Sequence, residues 1–170
     1  MKKILLIGGD SRLAKIFLKK YKSKKSFKIF KTSRKLNKKN SIFLNFSDLS
    51  KFNDYDGYTS VVILGGVVDY KECEKQYSYA KKVNCINIPT LAKNFLIKGS
   101  HVIFVSTNTV FKSEKKIPNE KSKTCPGFKY AKMKDITEKK LLNLKKKYNK
   151  VTILRLTKNL DKNTSPIKKW

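Results

Sequence analysis

Cysteine and histidine are scarce in this sequence: Cys73, Cys85, Cys125 and His101 are all that its 170 residues hold. The cysteines share no C-x-x-C spacing, so neither a zinc site nor a disulfide framework is expected. Long apolar runs are missing too. The longest, counting glycine, runs from Val61 to Val68, eight residues, against about 20 for a membrane-spanning helix. The opening Lys2-Lys3 followed by Ile4-Leu5-Leu6-Ile7 starts like a secretory leader. It reaches Asp10 without a small-residue cleavage site and reads as a strand. A cytoplasmic chain with no membrane partner is expected.

Negative charge is also sparse, with 12 acidic residues against 41 basic ones and a formal charge of +29. Such a balance points first to a polyanion. Yet the basic residues are almost all lysine, with Arg12, Arg34 and Arg155 the three arginines. Readers of nucleic acid lean on arginine, whose planar fork binds guanine and phosphate bidentately. Asparagine and isoleucine are abundant alongside lysine, as an AT-rich genome would write across any solvated surface. Most of the charge is therefore read as background, and no specific nucleic-acid partner is expected. Binding to DNA that vanishes at modest salt would identify mere charge.

What is present is an alternation of strands and helices. Ile4 to Ile7, Phe27 to Phe30, Ile42 to Leu44, Val61 to Leu64, His101 to Val105 and Val151 to Leu154 read as six strands. Helical spacing follows the first, through Leu13, Ile16, Phe17 and Tyr21. Further helices are expected over Lys71–Lys82, Asn84–Lys98 and Phe128–Tyr148, and Asp48 is expected to cap a short one. Continuous apolar strands separated by helices give the fold class: α/β, a doubly wound parallel sheet of Rossmann type with about six strands. One domain over residues 1–157 is expected, with a polar tail at 158–170. Such sheets bind ligands at the carboxyl ends of their strands, where strand order reverses. That rule singles out Gly8 to Ala14, Gly65-Gly66 and Ser106-Thr107.

The first turn, Gly8-Gly9-Asp10-Ser11-Arg12-Leu13-Ala14, leads from a strand into a helix. Backbone N–H groups and a helix N-terminus there face a pyrophosphate in dinucleotide-binding folds. The usual pattern wants glycine at three places. Gly8 takes the first, Ser11 stands at the second, and Ala14 is small enough for the third. A tight turn without ligand stays open as a reading of these residues alone.

Several stretches resemble the nucleotide-binding part of extended short-chain dehydrogenase/reductases, the NAD-dependent epimerase/dehydratase superfamily, and within it the dTDP-4-dehydrorhamnose reductase family. They are the Gly8–Ala14 turn, Leu44-Asn45-Phe46-Ser47-Asp48, Val62 to Gly66, Val83-Asn84 with Pro89 to Ala92, Val105 to Phe111, Ile117 to Glu120, Tyr130 to Lys134, and Leu154-Arg155. Tyr-x-x-x-Lys occurs three times in this lysine-rich chain. Only Tyr130 with Lys134 also follows a strand ending in Ser106-Thr107 and a Pro126-Gly127 turn.

The resemblance implies hydride transfer between a nicotinamide and the carbon of a nucleotide sugar, in dTDP-rhamnose and cell-surface polysaccharide synthesis. Tyr130 would pass the proton, Lys134 would lower its pKa and bond the nicotinamide ribose, and Thr107 would orient the substrate oxygen. Gly8, Asp10, Ser11, Arg12, Leu13, Arg34, Asn45, Phe46, Gly65, Gly66 and Lys134 would hold the cofactor. No acid follows the second strand, where one would bind a ribose 2′-hydroxyl, whereas Arg34 and Lys35 suit a 2′-phosphate. NADP is therefore favoured over NAD. Ser11, Asn45 and Leu64 depart from the family pattern, and Asn84 reads equally as a site residue or a buried structural one. The stretch after Arg155 is too short for the lobe that grips the sugar. The alternatives are thus an enzyme, alone or with a homo-oligomer or partner supplying that lobe, or a truncated, non-catalytic protein that binds a dinucleotide or nucleotide sugar.

Overall fold

The computed structural model describes residues 1–21, 24–111 and 117–157; the expected polar tail lies outside them. Its strands are β1 (Lys2–Ile7), β2 (Phe27–Ser33), β3 (Ile42–Phe43), β4 (Ser60–Ile63), β5 (His101–Thr107) and β6 (Val151–Leu156). They form one six-stranded sheet, ordered β3-β2-β1-β4-β5-β6, and every pairing is parallel. The chain thus winds outward from β1 to one edge, returns, and winds from β4 to the other. The order reverses between β1 and β4, which places the switch point beside Gly8 and Gly65.

The helices are α1 (Arg12–Tyr21), α2 (Tyr70–Lys75), α3 (Tyr77–Lys81), α4 (Ile88–Ile97) and α5 (Lys129–Tyr148). Leu5, Leu6 and Ile7 of β1 are all fully buried, as a central strand covered on both faces requires. On β5 burial alternates, so Val102, Phe104 and Ser106 face inward. Phe95, Leu91 and Ile88 from α4 and Met133 and Leu141 from α5 complete the core around Phe104, Val61 and Ile63.

Three expectations about elements are corrected. Asp48 caps no helix: its carboxylate accepts from the Ser50 N–H at 2.9 Å and its own N–H reaches the Asn45 carbonyl, a local turn that competes with helix formation. The third strand stops at Phe43. The helical run after β4 breaks at Gln76, then widens into a π-helical turn over Lys82–Asn87. Among the described residues no helix is long and apolar enough to cross a membrane.

Candidate functional site

The carboxyl ends of β1, β2 and β4 converge on one cleft. Gly8 leaves β1 with φ of +82°, a conformation that favours glycine. A Cβ on it would stand 2.7 Å from both the Cα and the N of Gly65. Backbone meets backbone there, so no rotamer change relieves the contact. From the other side Phe46 closes on Gly65, whose added Cβ would meet the ring at 2.5 Å. Thr32, buried at the end of β2, fixes the turn twice: its Oγ1 accepts from the Gly8 N–H at 3.0 Å, and its carbonyl accepts from the Gly9 N–H at 3.0 Å.

Ser11, which stands where the second glycine is usual, begins α1. Its carbonyl accepts the first helical bond from Lys15, and its hydroxyl accepts from the Ala14 N–H at 3.2 Å. This N-cap gives the serine a local task that glycine cannot perform. Ser11→Ala is therefore expected to lower unfolding stability by about 1 kcal/mol, read from the shift in urea midpoint, while Ser11→Gly costs only a few tenths.

Asp10 reaches from the turn to the end of β2. Its carboxylate accepts from the Ser33 hydroxyl at 2.6 Å and pairs with the Lys38 ammonium. Those bonds, Lys38 first, hold its pKa below the usual value. An acid from the first turn thus stands at the end of β2. Arg34 lines the same cleft.

The cleft has a volume of about 220 Å³. It is lined by Gly8, Asp10 and Ser11, by Thr32 to Arg34, by Leu44 to Phe46, and by Leu64 to Val68, with Tyr79 and Val83 at its far end. Of the residues expected around the cofactor, it gathers Gly8, Asp10, Ser11, Arg34, Asn45, Phe46, Gly65 and Gly66. Arg12 and Leu13 open α1 outside its lining. Asn45 spends its amide oxygen on the Ser47 N–H and hydroxyl, at 3.0 and 2.8 Å, so it shapes the turn that presents Phe46. Asn84 is resolved as a clamp. Its Oδ1 accepts from the Val67 N–H at 3.1 Å and its Nδ2 donates to the Val67 carbonyl at 2.9 Å, fixing the loop after Gly66.

Thr107, Tyr130 and Lys134 do not line this cleft. Lys134 is buried on α5, its ammonium donating to the Val105 carbonyl at 3.0 Å and lying 4.5 Å from the Phe104 ring centroid. The same ammonium is 5.9 Å from the Tyr130 ring centroid, so the structure brings these two together. Thr107 ends β5 two residues beyond Val105, its Oγ1 accepting from the Thr109 N–H at 3.2 Å. Burial pushes the Tyr130 phenol up to about 12, with Tyr70 and Cys73 adding to the rise. Burial also lowers Lys134 to about 8, opposed by Glu138 and then by Cys73. Against the expected lowering by Lys134, the Tyr130 phenol is raised, burial being the largest cause, while the Lys134 ammonium donates to the Val105 carbonyl.

Sequence reasoning overlooked three neighbours. Tyr70 packs on Tyr130 with ring centroids 5.1 Å apart. Cys73 is buried beside Tyr130 and Lys134, its thiol donating to the Val67 carbonyl at 3.5 Å. Glu138 lies one turn after Lys134 and is 1% exposed. The four-residue spacing on α5 was the available signal for Glu138; α2 offered none.

The comparisons extend this picture. Residues 1–165 match the family model described as the RmlD substrate binding domain. No curated protein matches the sequence. Among solved structures, a dTDP-4-dehydrorhamnose reductase from Clostridium acetobutylicum is 26% identical with a TM-score of 0.75, covering 90% of this chain and 52% of its own. A hypothetical dTDP-4-dehydrorhamnose reductase from Sulfolobus tokodaii is 18% identical, with a TM-score of 0.82 and coverage of 99% and 60%. The Bacillus anthracis dTDP-4-dehydrorhamnose reductase, solved in complex with NADP, is 18% identical, with a TM-score of 0.75 and coverage of 92% and 54%. The chain spans about half the length of these proteins.

Proposed function

Because the chain belongs to the RmlD substrate binding domain family, we propose that it binds a nicotinamide dinucleotide, NADP(H) ahead of NAD(H), and reduces the 4-keto group of a nucleotide sugar. The observation that carries this reading is the cleft at the switch point, where the Gly8, Gly65 and Phe46 contacts leave no room for further side-chain atoms. Ligands in doubly wound sheets bind at that place. Its volume of about 220 Å³ is below the roughly 300–1,000 Å³ of typical small-molecule pockets, so it suits one part of a dinucleotide.

The residues present fit such a group. The N–H groups of the Gly8–Ser11 turn and the start of α1 would hold the phosphates. Phe46 and Asn45 would flank the adenine, Arg34 and Lys35 would meet a 2′-phosphate, and Lys134 would bond the nicotinamide ribose. When bound, the nicotinamide supplies the hydride. Tyr130 then has one task, delivery of its hydroxyl proton to the carbonyl oxygen as the carbonyl becomes an alcohol. The phenol carries its proton at neutral pH, and its rise to about 12 by burial makes it a weak acid that must be helped by its surroundings as it gives that proton up. Thr107 orients the oxygen that receives the proton.

The test is NADPH oxidation in the presence of a dTDP-4-keto-6-deoxy sugar. Oxidation that requires both protein and sugar supports the reading. A protein that binds NADPH yet oxidises none with any 4-keto nucleotide sugar overturns the catalytic half. That outcome would favour a second reading, a dinucleotide-binding protein without catalysis, consistent with Thr107, Tyr130 and Lys134 lying outside the cleft.

A further inference from the structure

A buried charge cluster sits behind the Tyr130–Lys134 pair and has no part in the reading above. Glu138 is 1% exposed and is fully engaged. Its Oε1 accepts from the Ser106 hydroxyl. Its Oε2 accepts from Arg155 twice, from Nε at 3.0 Å and from Nη2 at 2.7 Å. Arg155 is held in turn over the Phe111 ring, 4.8 Å from its centroid. One carboxylate thus ties α5 to β5 and β6, at the two strand ends nearest the pair.

Two consequences meet at Lys134. Ser106 lies between Val105, whose carbonyl takes the Lys134 ammonium, and Thr107. Glu138 also follows Lys134 by one helical turn, which puts both side chains on the same face of α5. A lysine this deeply buried loses hydration that a nearby carboxylate restores in part.

We propose that Glu138 is a positioning residue for this site, its carboxylate fixing the end of β5 through Ser106 and keeping Lys134 in its ammonium form beside Tyr130. The inference rests on reading Tyr130 and Lys134 as the reacting pair. Among the described residues the groups facing Lys134 are Glu138 and Tyr130 on its own helix, Cys73 on α2, and the Val105 carbonyl and Phe104 ring on β5. Burial pushes the Cys73 thiol up, so it holds its proton to higher pH than an ordinary cysteine. Among the described residues Glu138 is the carboxylate that acts on Lys134 and the largest influence opposing its burial, and Arg155 is the cation that shares it.

The experiment follows the Lys134 side-chain signal by NMR in the lysine-labelled full chain, assigned by its loss in Lys134→Met, across pH 6 to 11, a range chosen to bracket ordinary and lowered lysine titrations. Glu138→Gln keeps the size and an acceptor for Arg155 but removes the charge. Ser106→Ala removes one hydrogen bond and keeps the charge. Lys134 is expected to titrate about one pH unit lower or more in Glu138→Gln and unchanged in Ser106→Ala, with both variants retaining the wild-type circular dichroism. An unchanged Lys134 titration in folded Glu138→Gln overturns the proposal, as does an equal shift in both variants, which would mark a packing effect. If Glu138→Gln does not fold, Arg155→Gln decides: with the cation that shares Glu138 removed, a rise in the Lys134 titration supports the proposal and no rise overturns it. The expected shift in a chain that turns over no nucleotide sugar supports the electrostatic coupling and overturns the enzymatic reading instead.

Discussion

Gly8→Ala is expected to abolish saturable dinucleotide binding and to lower unfolding stability by about 2–5 kcal/mol, the sum of a left-handed alanine and an overpacked contact. The added methyl has nowhere to go, since both atoms it meets belong to the Gly65 backbone at 2.7 Å. Relief requires β1 and β4 to part at their carboxyl ends, which opens the floor of the cleft. Gly99 supplies the control. It has the same φ of +82° just after α4, but an added Cβ there meets nothing within 4 Å. Gly99→Ala should cost about 1–2 kcal/mol and leave binding intact. Urea midpoints of the two variants, with NADPH titrations of each, separate backbone strain from the close approach.

Tyr130→Phe is expected to reduce turnover of a 4-keto nucleotide sugar by about 100- to 10,000-fold, the usual contribution of a general acid, while NADPH binds as before. The ring keeps its packing on Tyr70, so stability should change little. The wild-type pH profile is informative beside it. The phenol is raised to about 12 and Lys134 is lowered to about 8. As pH rises, the first of the two to lose its proton is therefore Lys134. The alkaline limb of turnover should fall near pH 8 and belong to the lysine. Steady-state rates across pH check this, and a limb unaffected by Glu138→Gln would argue against the assignment.

Much of the architecture was legible because it follows from local pattern. A central strand buried on both faces must be apolar without interruption, and Ile4 to Ile7 and Val61 to Ile63 are. The strand-glycine-helix junction at Gly8 identified the cleft for the same reason: its glycine answers a local backbone demand. What escaped was set by contacts between distant segments. Asp48 has the composition of a helix cap, yet the turn made with Asn45 and Ser50 captures it. The run after β4 has helical spacing, but nothing local announces the break at Gln76 or the π-helical turn that carries Asn84 to Val67.

The chemistry was legible to a different depth. Tyr130 and Lys134 stood out from the other Tyr-x-x-x-Lys pairs by the Ser106-Thr107 strand end and Pro126-Gly127 turn before them, and the Lys134 ammonium lies 5.9 Å from the Tyr130 ring centroid. Spacing says nothing about burial, however, and burial raises the phenol. Asp10 shows the same limit. After β2 the sequence holds no acid, but the first turn folds Asp10 against Ser33 and Lys38. The cleft therefore sets Asp10 beside Arg34.

The cleft between Gly8, Phe46 and Gly65 is proposed to hold one part of a nicotinamide dinucleotide. A titration of the purified chain with NADPH and NADH, following nicotinamide fluorescence and thermal unfolding together, tests it most directly. Saturable binding of both is expected, with NADPH the tighter, and stabilisation of about 2.7 kcal/mol at a hundredfold excess over the dissociation constant. Neither dinucleotide changing fluorescence or melting temperature at millimolar concentration would contradict it.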